Sequence, residues 1–226
     1  MIYKTVKMPV SGQPDYNLIT FDETPSLELH SGGDYTSYKK MPGRVITKIL
    51  LHWGGHNAGG CRNVLYNRDL SSHFGVDEDE AYQWLDIGHH AWHASWANED
   101  SIGIDICQQP TIGNLKRYRA EGRDVRIIDN PAVRESGQVV GEAQVLTLDP
   151  RTAQTVYELC RDLCGVFKIP FSVPRFGDGR ISHENFSKAD FGEYSGILCH
   201  HHVSTTGKWD VAPWLGQIFG ELAPAT

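Results

Sequence analysis

The sequence predicts a single α/β domain in which helices flank a mixed central β-sheet. Strand-like and helix-like segments alternate along the chain, and no internal repeat interrupts them. At 226 residues and 40% hydrophobic content, the chain is long enough to bury one sizeable core. The clearest elements are a strand at residues 45–52 and a helix at residues 150–167.

The predicted strands carry β-branched residues and stop at turn-forming ones. Residues 45–52 run apolar up to His52 and meet a Gly-Gly pair, which predicts a buried strand with His52 at its mouth. Residues 73–76 and 81–85 flank an acidic turn and predict a β-hairpin. Residues 101–107 predict a further strand, placed centrally in the sheet.

Two segments predict helices. Residues 61–69 favour a short one. Asp149 is a good N-cap, Pro150 suits the first helical position, and the apolar residues up to about 167 fall on one helical face. Cys160 and Cys164 lie one turn apart on that face, so we assign them to the core, and we expect all five cysteines to be reduced.

The charge and the apolar pattern exclude several classes of partner. A net charge of −7 and a pI near 5.8 give no electrostatic reason to bind nucleic acid or anionic lipid. No apolar run could span a bilayer, and the N-terminus lacks the apolar stretch of a secretory signal. We therefore expect a monomer that is made in the cytoplasm without a signal peptide and does not insert into membranes.

The eleven histidines fall mostly into three groups that lie near predicted strand ends or glycine-rich loops. Side chains there can converge, and imidazole and carboxylate are suitable zinc ligands. The spacing has no local signature of the His-Glu-x-x-His kind, so spacing alone does not establish a metal site. The groups are His52 with His56, His89-His90 with His93, and His200 to His202.

Four segments of the chain match a known family in order. They are Ile49-Leu50-Leu51-His52, Ala91-Trp92-His93-Ala94, Ser101-Ile102-Gly103-Ile104-Asp105 and the stretch from Cys199 to Asp210. In these segments the chain resembles the amidase-2 family, which includes recycling and phage lysis amidases and the peptidoglycan recognition proteins. The resemblance covers residues 45 to about 217 and implies a catalytic domain at 45–226 with that family's fold and a zinc cleft on one face. Residues 1–44 lie outside it, show no sustained period and predict an irregular arm.

Residues 111–147 form an insertion that is longer than loops in compact domains usually are. A solvated insertion is the simplest interpretation. The alternative is a lid or wall over the cleft, whose basic groups meet the carboxylates of a peptide stem. The basic residues are Lys116, Arg117, Arg119, Arg123 and Arg126.

The resemblance implies that His52, His200 and Asp210 hold a zinc ion. Val203 and Lys208 select His200 from the three adjacent histidines, because the family pattern places a β-branched residue three positions after the ligand and a lysine two positions before the carboxylate. A late strand through residues 197–199 would place His200 and His202 on one face, so His202 is the alternative ligand.

The remaining site residues also follow from the resemblance. Lys208 is expected to stabilise the developing oxyanion. The family's general base is typically a Glu at the position of Asp105 or a Tyr at the position of Ser72, so we expect Asp105 to take this role, directly or through a water.

Three further residues are expected to touch substrate. These are Trp92, His93 and His202, with a purely structural histidine as the alternative for His93.

The resemblance therefore predicts zinc-dependent hydrolysis of the amide bond between N-acetylmuramic acid and L-alanine in peptidoglycan. A phage-type lytic enzyme, acting on the wall after release from the cell, is the preferred role. The alternatives are a cytoplasmic amidase that recycles muropeptides, a peptidoglycan-binding module without activity, and an inhibitory partner of a cytoplasmic protein. Retention of His52, His200, Lys208 and Asp210 together favours hydrolysis.

Overall fold

The computed structural model describes residues 17–19, 38–40, 43–204 and 208–220. Its centre is a six-stranded sheet with the strand order β1-β5-β4-β7-β3-β10, and two small two-stranded sheets pair β2 with β6 and β8 with β9. The strands are β1 Asn17–Ile19, β2 Tyr38–Lys40, β3 Lys48–Trp53, β4 Phe74–Asp77, β5 Glu80–Gln83, β6 His89–Ala91, β7 Ser101–Ile106, β8 Ile127–Asp129, β9 Gln144–Leu146 and β10 Gly196–Cys199.

The sheet is mixed, as predicted. Strands β4, β7, β3 and β10 are parallel neighbours, whereas β4 and β5 form the predicted antiparallel hairpin. Strand β7 lies inside the sheet, and every residue of it is buried. Because β3, β7 and β10 run in the same direction, their carboxyl ends meet at one edge of the sheet.

Helices flank the sheet, and the longest of them is the predicted one. The Asp149 side chain accepts a hydrogen bond from the backbone N–H of Arg151, Pro150 occupies the first turn, and Lys168 ends the helix in the left-handed region. Val156, Leu159 and the rest of its apolar face join the main core. The helices are α1 Ala58–Asn67, α2 Leu115–Ala120, α3 Pro150–Phe167, α4 Lys188–Glu193, α5 His200–Val203 and α6 Leu215–Phe219.

Two segments of the predicted N-terminal arm form strands. Strand β1 extends the central sheet by pairing in parallel with β5, and β2 pairs with β6. Gly43 and Arg44 are also described, and the Arg44 guanidinium donates to the backbone carbonyls of His89 and Ser101. The other residues of the arm lie outside the described residues.

The 111–147 insertion is folded rather than merely solvated. It contains α2 and the β8–β9 ribbon, and Tyr118, Val125 and Leu146 form a small core of their own. The buried Arg123 guanidinium lies 2.7 Å from the Asp77 carboxylate, and Arg117 pairs with Glu121. These two cations are therefore already partnered within the protein.

Cys160 and Cys164 lie in the main core, as predicted, and all five cysteines are buried. Among the described residues, no helix is both long and apolar enough to cross a membrane.

Candidate metal centre

The candidate site lies where the parallel strands end. His52 is the fifth residue of β3, His200 directly follows β10, and β10 pairs with β3. Asp105, on β7, is the register partner of His52. Asp210 enters from the C-terminal segment. The fold thus brings four residues that are far apart in sequence to one edge of the sheet.

His52, His200 and Asp210 have the geometry of a three-ligand metal site. One ligand-type atom of each residue lies within 4.8 Å of the other two. His52 Nδ1 is 3.1 Å from His200 Nδ1, and His200 Nδ1 is 3.5 Å from Asp210 Oδ2. Tetrahedral zinc with bonds of about 2.0–2.1 Å separates its ligand atoms by about 3.3 Å. The two measured separations are close to this value, so the three residues fit a zinc ion.

The electrostatics of the site suit a cation. Burial lowers the pKa of His200 to about 3, with a smaller contribution from the Lys208 charge. Burial also lowers the pKa of His52 well below its usual range, helped by His200 and Lys208. Both imidazoles are therefore neutral at pH 7 and offer a lone pair.

Asp210 is held in a constrained backbone conformation. Its φ of 38° lies in the left-handed region that non-glycine residues adopt rarely. Burial raises the pKa of its carboxyl group to about 7, although Lys208 and a backbone hydrogen bond from Trp53 act in the opposite direction. A bound cation would offset the free-energy cost of burying the ionised carboxylate, because it favours the charged form.

His93 lies behind His52. Its Nδ1 is 2.9 Å from His52 Nε2, and its Nε2 is 3.4 Å from the Ser101 hydroxyl, which donates to the Ala97 carbonyl. If His52 Nδ1 binds a metal, His52 Nε2 carries the proton and donates it to His93. This chain fixes the tautomer and the ring orientation of His52.

Asp105 has the environment of a general base. It is 5% exposed, and its Oδ2 has no hydrogen-bond partner among the described residues. Burial raises the pKa of its carboxyl group to about 6, against the opposing effects of Ser72 and Lys208. A carboxylate with a pKa near neutrality suits proton transfer at pH 7. Ser72, at the position of the family's tyrosine, is fully buried.

A cleft of about 520 Å³ is lined by His52, His93, Asp105, His200 and Asp210. Lys208 is exposed at its edge, and its positive charge reaches both metal-site histidines and both carboxylates. Val64 of α1, Arg68 at the C-cap of α1 and Trp209 of the C-terminal segment also line the cleft. Sequence reasoning missed these three residues, because a helix face and a single tryptophan carry no motif.

Two predicted site residues lie elsewhere. Trp92 is 43% exposed and its ring contacts His90, outside the lining of the cleft. His202 is completely buried, with Nδ1 accepting from the Cys199 backbone N–H and Nε2 donating to the Ser182 carbonyl. The expectation that His200 and His202 share a face is wrong, because β10 ends at Cys199 and α5 begins at His200.

Cys199, His201 and His202 form a second group with possible ligand atoms within 4.8 Å of one another. Both nitrogens of His202 already have partners, and Cys199 Sγ is hydrogen-bonded directly to His201 Nδ1. His201 Nε2 is buried and has no partner among the described residues. One unpartnered nitrogen does not make a three-ligand site, so this group lacks the convergent free lone pairs of the first.

Fold and site together define an α/β domain with a candidate metal centre in a cleft. The sequence model of the Amidase_2 family, described as N-acetylmuramoyl-L-alanine amidase, matches residues 42–213. The chain belongs to this family. No curated protein sequence matches the chain.

Solved structures show distant similarity. A mutant endolysin from Bacillus subtilis is 16% identical, with a TM-score of 0.41 and coverage of 82% of this chain and 84% of that one. The endolysin amidase LysCS from Clostridium intestinale is 12% identical, with a TM-score of 0.44 and coverage of 86% and 88%. The Staphylococcus aureus hydrolase AmiA is 8% identical, with a TM-score of 0.42 and coverage of 94% and 72%. The family assignment rests on the sequence match.

Proposed function

We propose that this protein is a zinc-dependent N-acetylmuramoyl-L-alanine amidase that cleaves the amide bond joining the lactyl group of muramic acid to L-alanine. The observation that carries the proposal is the convergence of His52, His200 and Asp210 at the base of the cleft, with Asp105 beside them. Two neutral imidazoles and a carboxylate leave a fourth coordination position free, as catalytic zinc sites do.

The chain's own residues supply the remaining chemistry. When bound, zinc supplies a Lewis acid and lowers the pKa of water to about 7. Asp105 Oδ2, which has no partner among the described side chains, accepts a proton from the attacking water and returns it to the departing amine of L-alanine. The Lys208 ammonium group stabilises the oxyanion that develops on the former carbonyl oxygen. His93 keeps His52 in the tautomer that leaves Nδ1 free.

The finer role that we propose is lysis of the cell wall by a phage-type enzyme. Recycling of soluble muropeptides is the alternative, and family membership is compatible with both. Digestion of purified sacculi and, separately, of soluble anhydro-muropeptides distinguishes them. Efficient release of peptide from sacculi supports the lytic role, whereas activity on the soluble substrate alone supports recycling.

The activity itself is tested by metal analysis and by the appearance of free L-alanine amino groups. We expect one zinc per chain, loss of hydrolysis on chelation and recovery when zinc is added back. His52→Ala and Asp210→Ala should abolish hydrolysis in a folded protein. His56→Ala is the matched control, because His56 contacts Tyr118 rather than the metal-site residues. Absence of zinc together with no activation by added zinc would contradict the proposal.

A further inference from the structure

Trp209 forms part of the cleft wall directly beside the candidate reaction centre. It stands between Lys208 and Asp210 in sequence, lines the cleft and is half-buried against the main core. Its backbone carbonyl accepts a hydrogen bond from the N–H of Ala212, which closes a turn at this point. The indole therefore lies on a well-defined backbone in the same cleft as the candidate metal ligands.

The 111–147 insertion packs directly against this indole through Gly141. A Cβ atom built on Gly141 would lie 2.5 Å from Trp209 Cδ2 and 2.6 Å from Cε3, so no other residue fits without displacing the ring. The φ of Gly141 is +103°, which L side chains rarely adopt. Both features require glycine at this position.

The backbone around Gly141 is held in place by Asn130. The Asn130 side-chain amide donates to the carbonyls of Val140 and Glu142, one on each side of Gly141, at 3.0 and 2.8 Å. Asn130 is 6% exposed, and Val140 packs into the main core. The segment 130–143 is thus anchored independently of the indole that it supports.

We propose that residues 130–143 act as a buttress that fixes the Trp209 indole as the sugar-side wall of the substrate cleft. This inference rests on the proposed amidase function. Trp209 contacts the apolar C–H surface of the muramic acid ring, and Gly141 and Asn130 are positioning residues that touch only the indole and its support. The insertion therefore acts on substrate through Gly141 and Trp209 rather than through its basic residues.

Charge and topology indicate which wall of the cleft faces the sugar of the proposed substrate and which faces its peptide stem. Helix α1 packs against β4, whereas Trp209 belongs to the segment that follows β10, and β7 and β3 lie between those strands. The two walls of the cleft therefore face each other across the reaction centre. Arg68 is exposed on the α1 wall, where a guanidinium group suits the carboxylates of a peptide stem. The apolar face of the Trp209 indole on the opposite wall is left for the sugar.

The test compares Trp209→Ala and Gly141→Ala with Gly137→Ala. Gly137 lies in the same segment with a φ of +83°, but a Cβ there meets nothing within 4 Å, so it controls for backbone strain. On a soluble muramoyl peptide, Trp209→Ala should raise KM about fivefold with kcat changed less than about threefold, as expected for the loss of one aromatic contact. Gly141→Ala should raise KM in the same direction, and Gly137→Ala should leave KM unchanged.

Two further measurements make the outcome decisive. The inhibition constant of the free stem peptide, which lacks the sugar, should be unaffected by Trp209→Ala; equal weakening of peptide and muramoyl peptide would overturn the sugar-side assignment.

Co-sedimentation of metal-stripped protein with sacculi tests the indole without hydrolysis and so separates this inference from the proposed activity. Unchanged sedimentation and KM in Trp209→Ala would refute it, and identical KM values for Gly141→Ala and Gly137→Ala would refute the buttress. If Gly141→Ala does not fold, Trp209→Ala still tests the wall.

Discussion

His183 provides a direct test of how histidine burial makes folding depend on pH. The side chain is 3% exposed, and its Nδ1 has no hydrogen-bond partner among the described residues. Burial, followed by the nearby charges of His202 and Arg134, lowers its pKa from 6.5 to about 3. The unfolded chain binds this proton near pH 6.5, whereas the folded chain binds it only near pH 3. The contribution of His183 to the free energy of unfolding is therefore complete above pH 6.5 and is lost as the pH falls toward 3.

The size of the effect at pH 5 depends little on the exact pKa in the folded state. At pH 5 the imidazole of the unfolded chain is almost fully protonated and that of the folded chain almost fully neutral. Each pH unit below 6.5 then costs about 1.4 kcal/mol, so the loss at pH 5 is about 2 kcal/mol. This is a substantial part of the 5–15 kcal/mol that stabilises a typical domain.

The perturbation is His183→Gln, measured by urea unfolding of the metal-stripped protein at pH 7 and pH 5. The substitution should lower the free energy of unfolding by about 2 kcal/mol less at pH 5 than at pH 7. Glutamine takes up no proton, so the substituted protein does not lose the stability that protonation of His183 removes from the unsubstituted one. His56→Gln is the comparison. Its imidazole is only partly buried and its pKa is lowered by burial and Arg117, so its pH-dependent difference should be smaller. An identical cost of His183→Gln at both pH values would refute the reasoning.

Three predictions concern the site. His93→Ala removes the acceptor for His52 Nε2 and should weaken zinc binding about 10–100-fold in a competition with a chelator, and unchanged affinity would exclude the orienting role. Lys208→Ala should lower kcat by on the order of 10²-fold with zinc retained, whereas wild-type turnover would remove Lys208 from the mechanism. Asp105→Asn should keep zinc but lose turnover. In the unsubstituted enzyme kcat/KM should fall as the pH drops through about 6, where Asp105 becomes protonated, and full activity of Asp105→Asn would exclude it as the base.

The elements that the sequence predicted well are those with strong local signals. Helix α3 combines an N-cap aspartate, a proline in its first turn and a continuous apolar face, and its bounds agree with the prediction. The β4–β5 hairpin has an acidic turn between two short apolar runs, and β7 is an uninterrupted buried run. In these segments local preference and tertiary burial favour the same structure.

The elements that were missed depend on partners far away in the chain. Strand β1 has only three residues and exists through its pairing with β5, and β2 likewise requires β6. The contact of Gly141 with Trp209 joins positions almost seventy residues apart, and only the folded backbone shows why glycine is required. No periodicity within a short window contains this information.

The position at which β10 ends determines which of the adjacent histidines 200 to 202 lies at the candidate metal site. In an extended strand, alternate residues share a face, and His200 and His202 would compete for the metal. Here β10 ends at Cys199, and the chain turns into α5, where successive residues are rotated by about 100°. His200 consequently lies beside His52 and Asp210, while His202 turns back to accept the Cys199 backbone N–H and donate to Ser182. The imidazole of His202 thus holds the turn that presents His200, so a candidate ligand and the residue that supports it are close neighbours of the same type.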